Sequence, residues 1–159
     1  MSKLATIIIL ALCQQASAAS LPDSRLTPGA ILETDPTVIC TPGYDKSHRV
    51  WRNKRLTAAK YGIPWSVARD MEDDDLVPIR LGGDNSDPRN HWLQPCSAWR
   101  EIGTQGLREC VTGEAYEKDR LEHLDEWYIC HILRTQGHDA ASTVLRERQQ
   151  YYTTNGWAR

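Results

Sequence analysis

The clearest pattern of apolar and polar positions lies in the C-terminal third. Leu121, Leu124, Tyr128 and Ile132 recur at spacings of three and four, and Ile129 and Leu133 widen the stripe. That period predicts an amphipathic helix starting near Ala115 and ended by Gly137. Lys118 and Glu122 sit four apart on it. Asp139 then caps a second helix running through Val144, Leu145 and Arg148 to about Tyr152. Upstream, residues 49–61 suit another helix, broken by Gly62-Ile63-Pro64. Its cations Arg49, Arg52, Lys54, Arg55 and Lys60 are expected on a solvated face. A further short helical stretch follows. Leu76 to Leu81 reads as a strand, with Pro78 marking an edge or bulge. Gly82-Gly83-Asp84-Asn85 and Asp87-Pro88-Arg89-Asn90 read as turns, and His91-Trp92-Leu93-Gln94 pairs back on the strand. Residues 20–47, rich in Pro, Thr, Asp and Gly, read as extended segments and turns, with Thr37 to Cys40 a short strand. The sum is one α+β domain over 19–159, mostly helical, with one small hairpin and no internal repeat.

The first residues follow a different pattern. Lys3 precedes the apolar run Leu4 to Leu12, and Ala16-Ser17-Ala18-Ala19 supplies small residues after it. This order predicts a signal peptide over 1–18, with cleavage after Ala18 or Ala19 and export to the periplasm or beyond. The run is too short to span a bilayer, and no other segment is long and apolar enough to do so. Cys13 leaves with the leader. Cys40, Cys96, Cys110 and Cys130 remain, an even number that in an exported chain implies disulfides, with three possible pairings. We favour Cys40–Cys130, tying the N-terminal segment to a late helix, with Cys96–Cys110 closing a short loop. Zinc–thiolate ligation is poorly served, because no C-x-x-C pair is present.

Without Lys3 the formal net charge is −3, unlike the strongly basic footprint of a nucleic-acid binder. This balance leaves room for an enzyme that touches phosphates locally. Six tryptophans and no phenylalanine lead us to expect tryptophan to supply the aromatic core.

Candidate chemistry concentrates between Glu72 and Pro95. The segments Val38 to Tyr44, Asp74 to Gly83, Asp87 to Pro95, Lys118 to Glu122, Ile129-Cys130 and Trp157 occur in an order that resembles exported bacterial proteins of the HNH (His-Asn-His) nuclease family. The resemblance covers nearly all of the mature chain. It implies a small ββα-metal hairpin-helix core with additional helices, and it supports Cys40–Cys130, since both cysteines belong to the shared pattern. Cys96 and Cys110 fall in what looks like an added loop. In that family a histidine takes a proton from the attacking water while an aspartate and an asparagine serve the metal. The resemblance therefore implies Asp74 and Asn90 as ligands of Mg²⁺ or another hard divalent cation. It also implies Asp75 and Asn90 as the catalytic positions, and Arg89 or Lys118 as phosphate contacts.

Two departures bear on function. Asp75 stands where the family has histidine, and Arg80 where it has glutamate. A carboxylate near pKa ~3.9 is a poor neutral-pH base beside an imidazole near ~6.5. Losing a positioned base costs ~10²–10⁴ in rate. Asp73 to Asp75 also read as a solvated acidic turn, or as oxygen ligands for Mg²⁺ or Ca²⁺. His91 reads as structural and His123 as a surface residue, while His48, His131 and His138 have no visible partners. The expectation is an exported nuclease-like domain with weakened or lost phosphodiesterase activity. Its alternatives are an active metal-dependent DNA or RNA endonuclease, with nucleic acid as partner, and a non-catalytic module for a protein or envelope partner.

Overall fold

Gly137 is the hinge of the C-terminal frame in the computed structural model, which describes residues 22–102 and 107–156. The predicted leader and Trp157 lie outside the described residues. Ten elements precede and follow one another as α1 (Pro36–Ile39), α2 (Tyr44–His48), α3 (Lys54–Lys60), α4 (Trp65–Ala68), β1 (Met71–Asp75), β2 (His91–Pro95), β3 (Ala98–Ile102), β4 (Leu107–Thr112), α5 (Glu114–Gln136) and α6 (His138–Asn155). Short 3₁₀ turns at Ile79–Leu81 and Pro88–Asn90 lie between β1 and β2. The fold is α+β, with two two-stranded antiparallel sheets, β1–β2 and β3–β4. No helix among the described residues is long and apolar enough to cross a membrane.

Gly137, at φ 93°, closes α5 by donating its amide to the Ile132 carbonyl, and α6 starts at the next residue. Asp139 therefore lies inside the first turn of α6, where it complements the helix dipole rather than capping it. The core between these helices and the loop after β1 is Ile39, Val77, Ile79, Leu81, Ile129, Leu145 and Tyr152. A smaller cluster, Ala58, Ala68, Met71 and Leu93, fixes α3 and α4 on the other side of the hairpin. Both favoured disulfides are present. Cys40–Cys130 anchors the end of α1 to α5, and Cys96–Cys110 ties the start of the second hairpin to β4.

Several expectations are corrected. Thr37 to Cys40 is not a strand but the helix α1, because Asp35 caps it by accepting from the Thr37 amide at 2.7 Å and Pro36 opens it. The helix predicted over 49–61 begins only at Lys54, where the Asn53 side chain accepts from the Arg55 amide at 3.1 Å. Its cations do not all face solvent. Arg52 pairs with Asp75, Lys54 donates to the Arg69 and Met71 carbonyls, and Lys60 caps the Pro88 and His91 carbonyls at 2.7 and 2.6 Å.

The first strand is the acidic stretch Met71–Asp75 rather than Leu76–Leu81. Leu76–Leu81 turns back instead, since Pro78 has no amide for a ladder and opens a 3₁₀ turn. The predicted loop around Cys96 and Cys110 is itself the β3–β4 hairpin. On α5 the buried positions are Ala115, Lys118, Asp125, Ile129, Cys130 and Ile132, while Leu124 and Tyr128 face outward, because α6 covers only one edge of the predicted stripe. Among the described tryptophans Trp92 alone is fully buried; Trp51, Trp65 and Trp127 are exposed, so Trp92 and Tyr152 carry the aromatic core.

Candidate functional site

Strand alternation sorts the acidic residues of β1 onto two faces. Register pairs Glu72 with Gln94, Asp74 with Trp92 and Asp75 with His91. Glu72 and Asp74 thus share the face that meets α5, while Asp73 and Asp75 share the face that meets the segment before α3.

On the α3 side, Asp75 is buried and fully engaged. Arg52 Nη1 lies 2.6 Å from its Oδ1, Asn85 Nδ2 donates to Oδ2 at 2.8 Å, and His91 Nε2 stands 3.9 Å from Oδ1. Burial pushes its carboxyl up to about 6, against the pull of Arg52 and with a further push from Asp74. His91, held at 3.0 Å from the Asn85 carbonyl, is lowered by burial and by Arg52. Asp73 lies 4.0 Å from the same guanidinium.

Asn90 is fully buried and closes the loop between the strands. Its Oδ1 accepts from the Val77 amide at 2.9 Å, and its Nδ2 donates to the Val77 carbonyl at 2.9 Å and the Asp84 carbonyl at 3.2 Å. Both amide atoms thus hold the loop closed, and Nδ2 also stands 3.4 Å from Asp75 Oδ1. Gly83 belongs to the same closure, since a Cβ there would collide with the Val77 carbonyl. Arg89, expected on phosphate, is exposed and turns its fork onto Asp87, with Nε at 3.1 and 3.0 Å from the carboxylate oxygens.

On the α5 side, Lys118 is the centre. It is fully buried, with Nζ 2.9 Å from Asp74 Oδ2 and bonded to Glu122 Oε1. Burial opposes its charge, but Asp74 and Glu122 outweigh that and hold the ammonium above its ordinary range. The ammonium is enclosed by these two carboxylates and is not exposed to solvent. Burial pushes Glu122 up to about 8, and burial followed by Asp74 pushes Glu72 up to about 7. Glu72, Asp74 and Glu122 line a small polar pocket with Asp75, Arg49, Arg80 and Asp119. Arg80 bridges Asp45 of α2 at 3.3 Å and Glu126 of α5 at 3.1 Å.

The residues do not fit a resident divalent metal. Asp74 is paired with Lys118, Asn90 is engaged by backbone groups and by Asp75, and no cluster of three or more His, Cys, Asp or Glu side chains among the described residues is arranged to hold one. The sequence-based reading brought Asp74, Asp75 and Asn90 to one hairpin but missed Arg52 and Asn85, which no spacing announces. Glu122 was visible four residues after Lys118.

The raised carboxyls have a consequence for stability. Glu72, Asp75 and Glu122 retain protons that an unfolded chain, with carboxyls near ~4, has already lost. The folded state binds more protons across about pH 4 to 8, so stability falls as pH rises through that window. Thermal unfolding followed by circular dichroism is expected to give a higher midpoint at pH 5 than at pH 8. Glu72→Gln is expected to flatten that dependence, and a midpoint that rises from pH 5 to 8 in the wild type would refute the assignment.

Trp51, 87% exposed, lines a cleft of about 370 Å³ with Val50, Leu56 and Pro88, and with Arg52, Asn85 and His91 of the Asp75 surroundings. Comparison with protein families, with curated proteins and with solved structures gives no match for this chain.

Proposed function

We propose that this chain is an exported module on an HNH-like hairpin-helix scaffold that acts by binding a protein or envelope partner and does not hydrolyse phosphodiesters. One observation carries the reading. Lys118 Nζ, wholly buried, sits between Asp74 and Glu122 and supplies the positive charge that a divalent cation would bring to those carboxylates. Asp75 adds to it, since Arg52 and Asn85 occupy both of its oxygens. A base already bonded to a guanidinium gains little from accepting a water proton. The exposed Trp51 beside its apolar cleft is the kind of anchor that a binding module presents. Export is proposed from the leader-like residues Lys3 to Ala19.

The experiment is an endonuclease assay. Oxidised mature protein, incubated with supercoiled plasmid and with single-stranded RNA in Mg²⁺ or Mn²⁺, is expected to leave both intact. Asp75→His is expected to remain inactive, because the new imidazole faces Arg52 and Lys118 still holds Asp74. Wild-type cleavage that disappears in Asp74→Ala would overturn the proposal in favour of an active endonuclease.

A further inference from the structure

Helix α5 presents two unlike faces. One carries Lys118, Glu122, Asp125 and Ile129 inward to the hairpin and α6. The other exposes Leu124 by 62%, Trp127 by 60% and Tyr128 by 42%. The spacing of three and four places these three on one line along the helix. His131, one turn beyond Trp127, stacks on the indole at 5.3 Å between centroids and 11° between planes. The stack holds the large ring in one outward orientation before any partner arrives, which reduces the ordering cost of association.

We infer that this stripe is a self-association surface, and that its occupant is α5 of a second copy of the chain packed antiparallel. The charge distribution selects that partner. The first turn of α5 carries Glu114 and Glu117, and the last turn carries Arg134. An antiparallel copy sets the acidic start of each helix against the basic end of the other and opposes the two helix dipoles. The stripe lies near the middle of the helix, Glu114–Gln136, so a two-fold axis there brings Leu124 of one copy to Trp127 of the other. Such an isologous contact closes on itself and stops at a dimer. The surface is separate from the buried Lys118 pocket, and the inference does not depend on the proposed lack of catalysis.

Sedimentation velocity on the oxidised mature protein tests it, over roughly 5 to 500 µM, the range suited to a small contact of micromolar strength. The expected result is a monomer that converts to a dimer as concentration rises. Leu124→Glu should weaken dimerisation by about tenfold or more with an unchanged circular dichroism spectrum. Arg134→Glu should weaken it less, and the loss should grow at low salt. Trp51→Glu, on a different surface, should leave it unchanged. A wild type that stays monomeric across the range overturns the inference. So does a dimer that survives Leu124→Glu or is lost in Trp51→Glu.

Discussion

Replacement of Lys118 by alanine is expected to lower the stability of the folded chain by ~3–5 kcal/mol, the usual cost of breaking a buried ion pair by removing one partner. The side chain is completely buried and is the charge shared by Asp74 of β1 and Glu122 of α5, with Glu72 close enough to feel Asp74 and Lys118. Without it, Glu72, Asp74 and Glu122 line one small polar pocket with no ammonium between Asp74 and Glu122. For a chain of this size the loss corresponds to a fall of about 10 °C or more in the thermal midpoint. Two controls separate charge from packing. Lys118→Met keeps most of the volume, so a loss that persists in it is electrostatic. At pH 5 the loss should shrink, because the carboxyls that burial has raised accept protons and remove the repulsion. A variant within ~0.5 kcal/mol of wild type at pH 8, the range of ordinary surface substitutions, would remove Lys118 from the account.

Removal of the Cys40–Cys130 disulfide by paired alanine substitution is expected to cost about as much, ~4–5 kcal/mol in the chain-entropy description. The two cysteines are 90 residues apart, so the bond restricts nearly the whole span from α1 to α5 in the unfolded chain. Cys96–Cys110 spans only 14 residues, and its removal should cost ~3 kcal/mol by the same relation. Chemical denaturation of the two paired variants measures the difference. Equal losses, or a larger loss at Cys96–Cys110, would show that native contacts rather than loop length decide the contribution.

What the sequence disclosed depended on how local the physical cause was. The helices α5 and α6 were legible because a 3.6-residue period persists over many turns and Gly137 interrupts it. The disulfide pairing was reachable from loop lengths and from the resemblance. The first strand was misplaced by several residues because an acidic run has no strand period of its own. It becomes a strand only because Arg52, Lys54 and Lys118, from elements before and after it, hold its side chains and carbonyls. The same long-range pairing hid the candidate site. Arg52 is 23 residues from Asp75 and reads as one more exposed cation until the chain folds. Asn90 matched a family position by type, yet its surroundings assign it to the Val77 and Asp84 backbone. These contacts were not visible in the sequence, since the partners lie 13 and 6 residues from Asn90 and meet it only when the loop closes.

The most direct test of the tethered-cation account is isothermal titration of oxidised wild-type protein with Mg²⁺, Mn²⁺ and Ca²⁺ at pH 8, with Lys118→Met titrated alongside. The account predicts no binding heat for the wild type at millimolar cation. It predicts measurable binding in the variant, where Glu72, Asp74 and Glu122 have lost their ammonium and any hard cation relieves their repulsion. Tight divalent binding by the wild type, lost in Asp74→Ala, would contradict it and return the hairpin to the class of metal-holding sites.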